Sequence, residues 1–254
     1  MLDAVQSLIP GGLALDHFAG MALMVFVAAL MQGIGGVGFA MVSAPISVLF
    51  FPELAPGPLL VLGAGLALLG ALREFREVDW KAVAALMSGR TVGTVIAGLT
   101  LSILPTTLFS IVFAVLILIG VGFSVAGWRV VANVPNMIAA GLASGIMGTI
   151  TSSGAPPFAI VMQHVPPPRM RATIGCVFCA GAILSLITLG MVGHFSYAQL
   201  WLGILLFPPM MVGFVLSSRL NRYFSREHVR YALLAISALG AIAILVIALT
   251  SAAR

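Results

Sequence analysis

Apolar runs of about 20 residues recur along the whole chain between short polar loops, and a run of that length is what an α-helix needs to cross the hydrocarbon of a bilayer. This feature leaves few alternatives. A soluble globule of 254 residues cannot bury so many continuous apolar segments, and hydrophobic residues make up 61% of the sequence against 7% charged. A transmembrane β-barrel would alternate polar and apolar positions over strands of about ten residues. The chain therefore reads as an all-α polytopic membrane protein. Its formal charge of +5 invites a nucleic-acid partner, but the basic residues are scattered over short loops, the pattern that orients helices in a membrane, and no such partner is expected.

Two Gly-rich breaks interrupt the apolar pattern at matching places in the two halves. One is Gly33-Ile34-Gly35-Gly36-Val37-Gly38, the other Thr149-Ile150-Thr151-Ser152-Ser153-Gly154 followed by Pro156 and Pro157. Backbone that leaves the helical state inside a bilayer has unpaired N–H groups, tolerated only where protein or a water-filled cavity surrounds them. The predicted segments are 18–32 and 38–51 around the first break, then spans at 57–72, 80–103 and 106–127. The pattern restarts with 133–148 and 155–164 around the second break, then 171–193, 197–218 and 228–250. This predicts one transmembrane domain of two membrane repeats, 18–127 and 133–250, each a broken helical hairpin plus three transmembrane helices. Sliding the sequence by 116 residues superposes Met31 on Met147 and Gly38 on Gly154, and sliding it by 120 superposes Val92-Gly93 on Val212-Gly213. Weak internal symmetry of this kind is expected of transporters.

Loop charges predict the orientation. Ten of the twelve basic residues fall in the loops 73–81, 127–135, 164–171 and 219–230, and the intervening loops near Glu53, Pro105 and His194 carry none. The positive-inside rule places the basic loops in the cytoplasm and both chain ends outside it. A broken hairpin begins and ends on one side, so three further spans insert the second half upside down, and the repeats are of inverted topology.

The breaks are candidate anion sites. Helix N-termini beginning near Phe39 and Ala155 would present N–H groups and partial positive charge to an anion. Gly35, Gly36, Gly38 and Gly154 allow close approach, Thr151, Ser152 and Ser153 supply hydroxyls, and Gln32 is a further polar candidate. Arg90 is the other informative residue. It lies eleven residues beyond Asp79, about 16 Å into its span at 1.5 Å per residue, too deep to snorkel. No Asp or Glu lies inside any predicted span to pair with it, which leaves carbonyls, water or a bound anion as its partner.

Other features point less specifically. Gly141 and Gly145 have the spacing of close helix packing. Cys176 and Cys179 have CxxC spacing but sit in an apolar span without a second pair or a histidine, so packing is favoured over redox or metal chemistry. Ser43, Thr94, Gln163 and Thr173 either line a cavity or bond helix backbone, and His164 and His194, at membrane boundaries, are solvated loop residues or members of a proton relay. No metal site, cofactor or catalytic pair is expected, and the chain is not read as an enzyme.

Gly33 to Gly38 with Pro45, then Thr151-Ser-Ser-Gly154-Ala-Pro156-Pro157, and Arg171-Ala-Thr173 resemble the TauE/SafE sulfite-exporter family, also called the four-toluene-sulfonate uptake permeases, and the resemblance runs from about 18 to 250. It implies a bacterial-type inner-membrane permease for sulfite, an organosulfonate or a related sulfur oxyanion, coupled to protons. Thr and Ser stand at the second break where much of the family has Gly-Gly-Gly. The leading expectation is a secondary transporter working by alternating access about a midplane anion site, with a passive anion channel as the alternative and an assembly factor as a third. Lipid bilayer, a small anion and protons are the expected partners.

Overall fold

A computed structural model describes residues 12–35, 38–128, 130–220 and 222–252. Gly36, one of the candidate site glycines, lies outside the described residues, as do Val37 and Arg129. The described residues form helices and no strands: α1 (Leu15–Gly35), α2 (Phe39–Phe50), α3 (Gly57–Arg73), α4 (Trp80–Ile103), α5 (Thr106–Val125), α6 (Val134–Thr151), α7 (Ala155–Val161), α8 (Pro167–Met191), α9 (Tyr197–Leu205), α10 (Phe207–Leu220) and α11 (Arg226–Ala252). Among them, α1, α4, α5, α6, α8, α9 with α10, and α11 give seven helical segments long and apolar enough to cross a membrane. The apolar helices α2 and α3 are shorter, at 12 and 17 residues.

Local chemistry sets the ends. Asp79 caps α4, its carboxylate accepting from the N–H groups of Lys81 and Ala82 at 3.1 Å. Asn133 caps α6 through the N–H of Asn136 at 2.9 Å, and Ser196 with Gln199 forms a capping box on α9. The expected span 80–103 is observed at those bounds. The expected span 197–218 is observed as Tyr197–Leu220, interrupted at Leu206 because Pro208 and Pro209 have no N–H to give the carbonyls of Ile204 and Leu205. The second break is also shorter than expected. Helix α6 continues through Thr151, leaving Ser152 to Gly154 outside regular helix, and α1 continues through Gly35.

The bundle is apolar outside and hydroxyl-lined inside. Leu99, Ile103, Met191 and Leu239 are among the exposed large apolar side chains, whereas Ser43, Thr94, Ser144, Thr149, Thr173 and Ser185 are all buried. Such an arrangement suits lipid, which does not reward apolar burial between helices, so association rests on close backbone approach and interior hydrogen bonds. Gly89 and Gly93 of α4 lie against the Ile138 and Leu142 carbonyls of α6, and Gly141 and Gly145 of α6 against the Leu86 and Arg90 carbonyls of α4. The sequence-based expectation of packing at Gly141 and Gly145 is met, with a matching pair on the facing helix. Elsewhere α1 packs on α10, α3 on α8, α5 on α11 and α7, and α2 on α11.

Two ends of the bundle are distinct. At one, Arg171 makes a two-toothed ion pair with Glu74, 3.0 Å from Nε and 2.5 Å from Nη2, and Arg230 donates to the Ser124 carbonyl. These contacts join loops rich in Arg and Lys. At the other, loops without basic residues meet: His17 stands 3.4 Å from Glu53, and His194 3.1 Å from the Leu101 carbonyl.

Candidate functional site

Arg90 occupies the middle of α4 and is only 1% exposed, on the face that crosses α6. Its Nη1 donates to Ser144 Oγ at 2.6 Å, and that hydroxyl donates to the carbonyl of Gly154 at 2.7 Å. Arg90 is thereby tied, through one serine, to the second break. The guanidinium carbon lies 5.4 Å from the ring centre of Phe178 on α8 and 6.0 Å from that of Phe158 on α7, and the two rings are 5.2 Å apart. Ring faces attract a cation, so the phenylalanines partly replace the missing counter-ion.

Three glycines make room for this side chain. A Cβ at Gly181 would fall on Arg90 Nε, one at Gly148 would stand 3.1 Å from Nη2, and one at Gly154 would stand 3.2 Å from Nη1 and 2.7 Å from Ser144 Oγ. A guanidinium carries five N–H donors in a fixed fork. Among the described residues only Nη1 has hydrogen-bond acceptors, while Nε is buried with no partner. An orphaned buried donor on a charged group costs several kcal/mol unless something accepts from it. No carboxylate among the described residues pairs with Arg90; the two ion pairs found lie at the bundle's ends.

One turn along α4 from Arg90, a ladder of hydroxyls crosses three helices. Thr149 Oγ1 of α6 lies 3.3 Å from Thr94 Oγ1 of α4 and 2.8 Å from Ser185 Oγ of α8, and all three residues are buried.

The candidate residues of the second break sit together but are largely engaged within the protein. Thr151 Oγ1 donates to the Met147 carbonyl at 2.7 Å and accepts from the N–H of Ser153 at 3.2 Å. Ser152 has φ +60°, unusual for a residue with a side chain, and its Oγ donates to the Pro56 carbonyl at 2.9 Å. The short helix α7 offers few free donors, since Pro156 and Pro157 in its first turn have no N–H.

At the first break Gln32 Oε1 accepts from the N–H of Phe39 at 2.7 Å, so the opening N–H of α2 is already taken. Gly38 has φ +132° and lies against Leu233 of α11, and Gly35 against Leu233 and Val229. Arg90 and the second break are thus brought together, while the described part of the first break packs on α10, through Gly33 against Ser217, and on α11.

Sequence reasoning did not single out Ser144, Phe158, Phe178 or Gly181. For Ser144 a signal existed, since a serine between Gly141 and Gly145 lies on the helix face that those glycines press against α4; the two phenylalanines looked like any others in apolar runs. No curated protein and no solved structure matches the chain. The family model for the sulfite exporter TauE/SafE matches residues 21–244, most of the chain, and the protein belongs to that family of membrane transporters.

Proposed function

We propose that this chain is a secondary transporter of a small sulfur-containing anion, sulfite or an organosulfonate, which binds at Arg90 beside the second break and passes by alternating access in a bacterial-type inner membrane. The observation that carries the proposal is the Arg90 guanidinium, buried at mid-span without a carboxylate and with Nε unpartnered. An oxyanion supplies both the missing charge and the missing acceptor, because two of its oxygens match the parallel N–H bonds of one guanidinium edge. Ser144 and Gly154 of the second repeat border this position, with Thr151, Ser152 and Ser153 in the same break, while Gly35, Gly36, Gly38 and Gln32 belong with Arg90 to the first repeat.

Rocking of 18–127 against 133–250 as inverted repeats is supported by the helix pairings. Exchanging the halves turns the α4–α6 pair into α10–α1 and α5–α7 into α11–α2, and it leaves α3–α8 and α5–α11 as themselves. Gly93 and Gly213, 120 positions apart, each press on a carbonyl of the facing helix, Leu142 and Phe26. With no carboxylate among the buried described residues, a coupled proton travels on a histidine or on the anion itself, and sulfite takes up a proton near neutral pH.

The test is uptake of labelled sulfite, taurine and sulfoacetate into proteoliposomes under an imposed pH gradient. Uptake of at least one that follows the gradient is expected. Large single-channel currents in a planar bilayer would identify a passive channel instead, and no uptake of any sulfur anion would end the proposal.

A further inference from the structure

A cavity of about 730 Å³ lies at the end of the bundle where the loops carry no Lys or Arg. Pro56, Leu101, Leu104, His194 and Gln199 are among its lining residues. Two contacts lead inward from it. Pro56 accepts the hydroxyl of Ser152, at the second break, and Leu101 lies two turns of α4 beyond Thr94, where the ladder with Thr149 and Ser185 stands one turn from Arg90. The second break thus links the cavity to the guanidinium: Ser152 bonds Pro56 on the cavity wall, and Gly154, two residues on, bonds the Ser144 hydroxyl that Arg90 holds.

Two of the loops that line this cavity, Ala55-Pro56 and Gly193 to Ser196, adjoin helices that are fastened together at their far ends. Helix α3 begins next to Pro56 and ends next to Glu74, and α8 runs the opposite way, from beside Arg171 to beside His194. At the far end a Cβ on Gly175 would lie 2.8 Å from the Ala67 carbonyl and 3.0 Å from Ala71 Cβ, so the backbones are in contact. Over that contact sits the Glu74–Arg171 ion pair, and beside it the N–H of Asp79 donates to the buried Thr173 Oγ1 at 3.0 Å. The helix pair is pinned at the arginine-rich end, and at the other its adjoining loops line open space.

The geometry points to the cavity as the vestibule through which the transported anion reaches Arg90, and to the Glu74–Arg171 pair as the latch that keeps the opposite end shut while the vestibule is open. What passes through the vestibule rests on the function proposed above; the latch does not.

The test uses the full chain in nanodiscs, with Cys176→Ala and Cys179→Ala removing the native thiols, and measures labelling by a charged maleimide with no anion substrate present. Ala55→Cys, on the vestibule wall, labels rapidly. Thr173→Cys, beneath the latch, labels slowly, at a rate set by the fraction of protein open at that end. Because the pair is half exposed, Glu74→Gln raises the Thr173→Cys rate about two- to fivefold. Reversing the pair as E74R/R171E brings the rate back. Ala71→Cys reports on the same contact should Thr173→Cys fail to fold. An unchanged rate in Glu74→Gln, or no recovery in the reversed pair, overturns the latch, and an unreactive Ala55→Cys overturns the vestibule. All these rates are read without any anion, so failure of the anion site and failure of the latch are separately visible.

Discussion

Replacing Gly181 by Ala sets two effects of opposite sign against each other. On helix propensity alone the change stabilises α8 by about 1 kcal/mol, since glycine wastes backbone entropy in a helix. Sterically it cannot be accommodated where it stands. The new methyl would fall on Arg90 Nε and lie 2.5 Å from Cδ and 2.6 Å from Cζ. Carbon atoms in contact prefer about 3.5–4.0 Å, so the guanidinium must retreat by roughly 1 Å. The bond from Nη1 to Ser144 Oγ, now 2.6 Å, lengthens past useful range, and a hydrogen bond from a charged donor is worth about 1.5–3 kcal/mol. The net is a loss of about 0.5–2 kcal/mol of stability. If anion binding depends on the guanidinium's position, affinity falls about 10- to 100-fold by the same bond energy.

Gly190→Ala on the same helix is the control. Nothing lies within 4 Å of a Cβ there, so propensity acts alone and the variant is as stable as the parent or slightly more so. Thermal unfolding in detergent and equilibrium binding of sulfite read the two effects. A Gly181→Ala protein that matches Gly190→Ala in stability and binds sulfite as the parent does would refute the assigned packing of Arg90.

Three further outcomes follow from the contacts. Gly154→Val places carbon against Ser144 Oγ and Arg90 Nη1, so transport in proteoliposomes is lost while the protein still inserts. Gln32→Leu leaves the Phe39 N–H unmet and lowers the unfolding free energy by about 1–2 kcal/mol, an effect that Gln32→Glu, which keeps the acceptor, largely avoids in a denaturation titration. The double change C176A/C179A leaves uptake rates within about twofold of the parent, since both thiols are free and none of the hydrogen bonds of the Arg90 cluster involves them; a larger loss would assign the cysteines a role.

Much of the fold was legible because lipid imposes strong rules on sequence. Apolar length fixed most helices, and the depth of Arg90 followed from counting residues along α4 from Asp79. The break at Leu206 was also written in the sequence, as Pro208-Pro209, but a hydropathy scan runs straight over it. The site was less legible. Glycines and hydroxyls at the breaks were visible, yet the uses of those at Thr151, Ser152 and Gln32 are internal bonds that only three-dimensional neighbours reveal. Nor does any periodicity say that Ser144 relays Arg90 to Gly154, or that Gly181 is small because a guanidinium from another helix lies on it. Such facts depend on how helices distant in sequence cross.

The most direct test of the central claim is sulfite binding to purified protein in which Arg90 is intact, Lys or Gln. The account expects saturable binding by the parent, weakened binding by Arg90→Lys, which keeps the charge but loses the fork, and none by Arg90→Gln, with all three folded. Unimpaired sulfite binding by a folded Arg90→Gln protein would contradict it.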